Sequence, residues 1–180
     1  ADRDRDQVRA NAAYARAVEL GSTNAYSYYR AAQLTWKPQL DAAALQAIQK
    51  HLEHAIELDA TYANAHSFLA EVLTARDQAQ AALAPAERAV ALEPGESYHR
   101  VALAGVLLKL DRLEEARKSA RLGLQLADDD GDRSNAERFQ LYLDDYARYA
   151  EQRMRVEAAN ACQGGDALAC ARILPHFEQS

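Results

Sequence analysis

Two stretches of the chain follow the same pattern of small and apolar residues at an interval of 34 residues. "AIELDATYANAHSFLAEVL" runs from Ala55 to Leu73, and "AVALEPGESYHRVALAGVL" runs from Ala89 to Leu107. A period of this length is typical of stacked supersecondary units, each of which buries its apolar face only against its neighbours. The repeat therefore predicts an array of such units.

The composition indicates which kind of unit repeats. Alanine is abundant, whereas the 180 residues include only 7 Gly and 4 Pro. Alanine is the best helix former, and no stretch shows the sustained alternation typical of a strand. We expect an all-α chain, a right-handed α-solenoid of antiparallel helix pairs.

Small and apolar residues define the register of two complete units, 63–96 and 97–130. The matching positions in the first unit are Leu69, Ala70, Leu73, Ala82, Ala86, Ala89 and Leu92. In the second they are Leu103, Ala104, Leu107, Ala116, Ala120, Gly123 and Leu126. Each unit contains two helices, with turns at 74–78 and 109–112. Pro85 falls inside an expected helix, so we expect that helix to be kinked or to start late.

The same register extends towards residue 1. The range 25–62 forms a third, slightly longer unit, and 1–24 matches the second helix of a truncated repeat. The chain thus begins in mid-repeat, and we expect a processed chain or a fragment of a longer one. A missing partner helix would expose apolar surface, which predicts fraying or self-association at this end.

The other end of the chain does not follow the repeat. "DDDGD" (128–132) predicts a linker or turn. Beyond it a helical stripe predicts a long capping helix over 131–160, with a break near Asp144 and Asp145. The stripe consists of Phe139, Leu143, Tyr146, Ala150 and Met154.

The two complete units resemble the tetratricopeptide repeat (TPR) family, and Leu69-Ala70, Leu103-Ala104, Pro94 and "LDRLEEARKSARLGLQL" (110–126) carry the resemblance. The resemblance implies that the first helix of each pair lines a concave groove. It also implies a protein or peptide partner for groove positions not used in packing. These are Tyr26, Tyr29, Gln33, Trp36, Asn64, Ser67, Glu71, Tyr98 and Lys109.

Two interpretations of the aromatic first helix at 25–36 remain open. Tyr and Trp are typical of binding hot spots. Alternatively, Tyr28 and its neighbours simply cover the open N-terminal core. Some TPR modules hold a C-terminal carboxylate with a Lys/Asn/Arg clamp. The matching positions here are Tyr29, Gln33, Ser67 and Glu71, which do not favour that role.

Charge and motifs restrict the function further. A net charge of −6 argues against a nucleic-acid partner, and no apolar run is long enough to span a membrane. His51 and His54 lack a third metal ligand, and "DDDGDR" lacks the calcium-loop pattern. We expect no enzyme, cofactor or metal. We expect an interaction scaffold or, alternatively, an accessory, regulatory or assembly segment of a larger enzyme or signalling protein.

The only two cysteines are Cys162 and Cys170, on either side of Gly164-Gly165. The segment "NACQGGDALACARIL" resembles the start of a cysteine-containing Sel1-like repeat, which would make 161–180 a partial unit of that type. The resemblance implies a Cys162–Cys170 disulfide and hence an extracytoplasmic location, periplasmic or secreted. The alternative is two reduced, buried thiols. An excess of arginine over lysine points to a GC-rich bacterial source.

Overall fold

The computed structural model describes residues 2–37 and 39–163, and this part of the chain is built from helices joined by short loops. Two compact units, 1–137 and 138–180, divide the chain. The helices are α1 (Asp2–Glu19), α2 (Ala25–Thr35), α3 (Ala42–Leu58), α4 (Ala63–Ala75), α5 (Ala79–Leu92), α6 (Ser97–Lys109), α7 (Leu113–Leu126) and α8 (Asp130–Gln163).

Helices α2 to α7 form three pairs. The partners α2–α3, α4–α5 and α6–α7 pack against each other more extensively than helices of consecutive pairs do. The pairs are joined through α3–α4 and α5–α6, and α1 packs on α2. Each pair lies within one of the predicted ranges 25–62, 63–96 and 97–130. The first unit is therefore an all-α solenoid, which confirms the predicted fold class.

Small residues allow the two helices of a pair to approach closely. Ala82, Ala86 and Ala89 on α5 are completely buried. Gly123 occupies the position of Ala89 in the next pair. A Cβ atom added there would lie 3.1 Å from Val101 Cγ2 and 3.2 Å from the Ser97 carbonyl oxygen. The contact between α6 and α7 thus leaves little room for any side chain at Gly123.

The two helices of the second pair, and those of the third, are joined by the same kind of tight turn. Asp77 and Asp111 have φ values of 57° and 58°. The Gln78 N–H donates to the Leu73 carbonyl over 2.9 Å, and the Arg112 N–H donates to the Leu107 carbonyl over 3.0 Å. This is the Schellman motif, in which a left-handed residue ends the helix and satisfies its last carbonyl groups.

Pro85 lies inside α5, which begins at Ala79. Of the two alternatives that the sequence left open, a late helix start is therefore wrong. The helix continues through the proline, whose missing N–H leaves the Ala81 carbonyl without its usual backbone donor.

Helix α8 starts at Asp130, one residue before the predicted range 131–160, and is continuous through Asp144 and Asp145, so the predicted break is wrong. Its start is fixed by Asp129, whose carboxylate accepts a 2.7 Å hydrogen bond from the Asp132 N–H. Part of "DDDGD" is therefore the first helical turn rather than a linker. The carboxylates of Asp128, Asp129 and Asp132 come within 4.8 Å of one another, but a helix cap accounts for this cluster.

In the second unit, Leu143 is buried, whereas several other apolar side chains of α8 are exposed: Leu141, Tyr142, Tyr149, Met154 and Val156. A capping role for α8 stays a prediction. The Cys162 side chain and Cys170 lie outside the described residues, so the disulfide also stays a prediction. Over the described ranges, the helices are too short or too polar to cross a membrane.

Candidate functional site

The first helices of the three pairs converge on a cavity of about 220 Å³. Its walls come from α2, α4 and α6, and the lining residues are Gln33, Trp36, Phe68, Glu71 and Tyr98. Four of these five were expected from the sequence to face the groove. The structure thus brings together predicted site residues that lie up to 65 positions apart in the chain (from Gln33 to Tyr98).

The aromatic wall of the cavity joins α2 to α4. Trp36 is the C-cap of α2, where the backbone turns extended and leaves the helix. Its ring meets Phe68 edge to face, with centroids 5.3 Å apart and planes at 79°. Tyr29 packs beneath, with its centroid 6.2 Å from Phe68 and 5.0 Å from Tyr62. Trp36 is 36% exposed, so its ring remains accessible from solvent.

The amide of Gln33 is held in one orientation. Its Nε2 donates a 2.7 Å hydrogen bond to the Tyr29 hydroxyl, and its Oε1 accepts one from the Arg30 guanidinium over 2.7 Å. Arg30 also lies over the Tyr14 ring, 5.8 Å from its centroid. Because both ends of the amide are engaged, Gln33 presents a fixed polar edge to the cavity.

Glu71 gives the cavity its charge. Burial raises the pKa of Glu71 to about 7, while a hydrogen bond from Tyr98 acts in the opposite direction. Burial and the nearby Glu71 carboxylate also raise the pKa of both Tyr98 and Tyr29. Desolvation disfavours the charged form of an acid, which explains why all three shifts are upward.

Two predicted partner contacts are not on an accessible surface. Ser67 is completely buried, and Tyr29 is only 9% exposed and lies in the core. On α4 the cavity is lined by Phe68 and Glu71. The prediction included Glu71 but named Ser67 in place of its neighbour Phe68. A spacing of three residues, as in Gln33 and Trp36, could have revealed it. Tyr28 is likewise buried, with its ring 4.4 Å from His54, which supports the packing interpretation for these two tyrosines.

Ser67 instead ties α4 to α6. Its hydroxyl lies 2.7 Å from Nδ1 of the fully buried His99, and His99 Nε2 lies 3.1 Å from the Glu93 carboxylate. Because a carboxylate only accepts, Nε2 of His99 carries a proton and donates to Glu93. The Ser, His and Glu side chains therefore form a hydrogen-bonded network, but the serine hydroxyl is inaccessible to a substrate. This network fixes the position of the second helix pair against the third.

The remaining predicted contacts surround the cavity without lining it. Tyr26 is exposed and packs edge to face on Tyr14 of α1, with centroids 5.6 Å apart. Asn64 lies in the first turn of α4 and is partly buried. Lys109 ends α6, with its Nζ 3.9 Å from an Asp77 carboxylate oxygen.

A second cavity, of about 460 Å³, lies between α1, α2 and α3. His51 is on its wall, and its Nδ1 has no hydrogen-bond partner among the described residues. Burial, together with the nearby His54, lowers the pKa of His51. Self-association through this end of the solenoid stays a prediction.

Comparison with known proteins supports the fold. No family model and no curated protein sequence matches the chain. Among solved structures, TTC0263, a thermophilic TPR protein in Thermus thermophilus, is 22% identical over 73% of this chain and 72% of that one, with a TM-score of 0.61. YrrB, a TPR protein with an unusual peptide-binding site, is 22% identical over 82% and 72%, with a TM-score of 0.57.

A structure of MamA is also 22% identical, over 66% of this chain, with a TM-score of 0.55. The chain covers 62% of that MamA structure, less than two thirds of its length. The helix pairs, their shared turns and these likenesses together define the fold. The first unit has the fold of the tetratricopeptide-repeat proteins, as the sequence predicted. The resemblance of 161–180 to a Sel1-like unit stays a prediction.

Proposed function

We propose that this protein is an interaction scaffold that binds an extended peptide segment of a partner protein in the groove formed by α2, α4 and α6. The observation that carries the proposal is the cavity lined by Gln33, Trp36, Phe68, Glu71 and Tyr98. It combines aromatic surface with a few oriented polar groups, the composition typical of a recognition site. The likeness to YrrB, a TPR protein with an unusual peptide-binding site, is consistent with this role.

The size of the cavity favours a peptide over a small-molecule substrate. Ligand pockets of drug size usually have about 300–1,000 Å³. A cavity of about 220 Å³ holds about one side chain of a longer ligand whose remaining contacts lie along the groove. The alternative weighed from the sequence, an accessory segment of a larger enzyme or signalling protein, would use the same groove and stays a prediction.

The test is selection from a random peptide library displayed on phage, with the purified protein immobilised. Peptides selected by the wild type should bind Trp36→Ala about tenfold more weakly, because an aromatic hot spot contributes about 1–2 kcal/mol. Tyr149→Ala is the matched control, since it removes an exposed aromatic ring from the second unit. Circular dichroism would verify that both variants fold. Failure to select any peptide, or equal binding by Trp36→Ala, would contradict the proposal.

A further inference from the structure

The cavity between α2, α4 and α6 contains the carboxylate of Glu71, which forms no ion pair with any of the described residues. None of its five lining residues is basic. Arg30 on α2 is already engaged with Gln33 and with the Tyr14 ring. Of the neighbouring elements, α6 contributes the Tyr98 hydroxyl and α2 the Tyr29 hydroxyl, and a phenol hydroxyl cannot carry a positive charge.

Burying a carboxylate without an opposite charge is unfavourable, and the upward pKa shift of Glu71 is the expected consequence. A bound cation would restore the missing charge through a charge-assisted hydrogen bond to the carboxylate. The exposed ring of Trp36, packed edge to face on the buried Phe68, would add cation–π attraction to its positive group. An anionic or purely apolar side chain would gain neither interaction.

We propose that this cavity binds the positively charged side chain of an arginine or lysine in the partner peptide, with Glu71 as its counter-ion and Trp36 as its aromatic wall. The inference rests on the proposed peptide-binding function and specifies the chemistry of one ligand residue. Arginine fits this set of groups well, because its planar guanidinium both stacks on rings and forms paired hydrogen bonds with a carboxylate.

The chain contains a single tryptophan, Trp36, so its fluorescence reports on this cavity alone. We would titrate the protein with N-acetyl-arginine amide, N-acetyl-lysine amide and N-acetyl-citrulline amide, the last a neutral analogue of arginine. Arginine amide should give a saturable change, and citrulline amide should bind at least tenfold more weakly. Saturation by lysine amide as well would extend the specificity to cations in general, and its failure would restrict it to the guanidinium group.

Substitution of Glu71 provides the second part of the experiment. Glu71→Gln should weaken arginine amide binding at least tenfold, whereas Glu87→Gln, which neutralises an exposed carboxylate on α5, should not change it. In the wild type, affinity should be about tenfold lower at pH 6 than at pH 8. With a pKa of about 7, the ionised fraction of Glu71 falls from about nine tenths to about one tenth between these values. The pH and citrulline arms need no variant, so they test the proposal even if Glu71→Gln fails to fold.

Equal binding of arginine and citrulline amides, or no pH dependence, would overturn the inference. If library peptides lose affinity for Trp36→Ala but show no need for a basic residue, the inference fails and the proposed function stands. If neither library peptides nor arginine amide bind, both proposals fail.

Discussion

Helix α4 meets its two neighbouring first helices in different ways. It packs along α6 more closely than along α2. On the α6 side, the Ser67 hydroxyl oxygen lies 2.7 Å from Nδ1 of His99. On the α2 side, the rings of Tyr29 and Trp36 stand against Phe68, with centroids 6.2 and 5.3 Å away.

The difference shows how one repeat pattern produces a close helix–helix contact on the α6 side of α4 and an open groove on its α2 side. On the α6 side the contact is a hydrogen bond between buried polar side chains, whereas on the α2 side it is made by aromatic rings. The cavity is lined by Trp36 on its α2 side and by Phe68 on α4, and it contains the partly buried Glu71. The candidate site thus combines side chains from three different repeats.

The largest expected effect comes from breaking the close contact. His99→Ala should lower the free energy of unfolding by about 3 kcal/mol, because it removes a fully buried side chain and leaves the Ser67 hydroxyl without its partner. Urea denaturation measures this change. His66→Ala is the matched control on α4. Its ring is only partly buried, and its substitution should cost less than about 1 kcal/mol.

A double-mutant cycle then tests whether the close contact depends on the hydrogen bond. Ser67→Ala alone should cost about 1–2 kcal/mol, and the double variant should cost less than the sum of the two changes. Additive costs would mean that the two side chains stabilise the solenoid independently.

The second-largest expected effect concerns Glu71, which lies in the cavity lined by α2, α4 and α6. Glu71→Gln should raise the free energy of unfolding at pH 8 by about 1–3 kcal/mol and change it little at pH 4.5. Burial raises the pKa of Glu71 from 4.5 to about 7 in the folded state, so the folded protein keeps a proton that the unfolded chain loses. The wild type therefore loses stability as the pH rises through this interval, and a neutral glutamine does not. Glu87→Gln should show no such pH dependence.

The smallest effect concerns the connections within the pairs. The second and third pairs share a turn with a left-handed aspartate, whereas α2 and α3 are joined by a longer loop after Trp36. Asp111→Gly should raise the free energy of unfolding by about 0.5 kcal/mol, because glycine adopts a positive φ without strain. Asp111→Ala should lower it by about 1 kcal/mol. The same sign for both substitutions, measured by thermal denaturation, would contradict this account.

The fold was predictable because its determinants are local. Leu69 and Leu103, Ala82 and Ala116, and the turns at 74–78 and 109–112 recur at one spacing, and this spacing specifies a helix pair. The range 128–132 was predicted to be a linker or turn because a run of aspartates resembles one, although Asp129 is a good helix cap.

The site was predictable only in part. Gln33, Trp36, Glu71 and Tyr98 were expected in the groove and line the cavity. Ser67 was placed on the same helical face as Glu71, but the rotation of α4 turns it towards α6 and brings Phe68 to the cavity instead. This rotation depends on the volumes of side chains from other repeats, such as Tyr29 and His99, which a pattern within one helix does not contain.

The unequal spacing on the two sides of α4 has a consequence for the opening of the folded array. In a linear array, stability is the sum of the contributions of single units and of the contacts between neighbours. A tightly joined block from α4 to α7 would therefore unfold cooperatively, while the more loosely joined α2 and α3 could open as a separate segment. A peptide bound in the groove would contact both α2 and the block from α4 to α7. Occupancy of the groove would then be coupled to local unfolding, and amide hydrogen exchange in α2 would slow as the ligand binds.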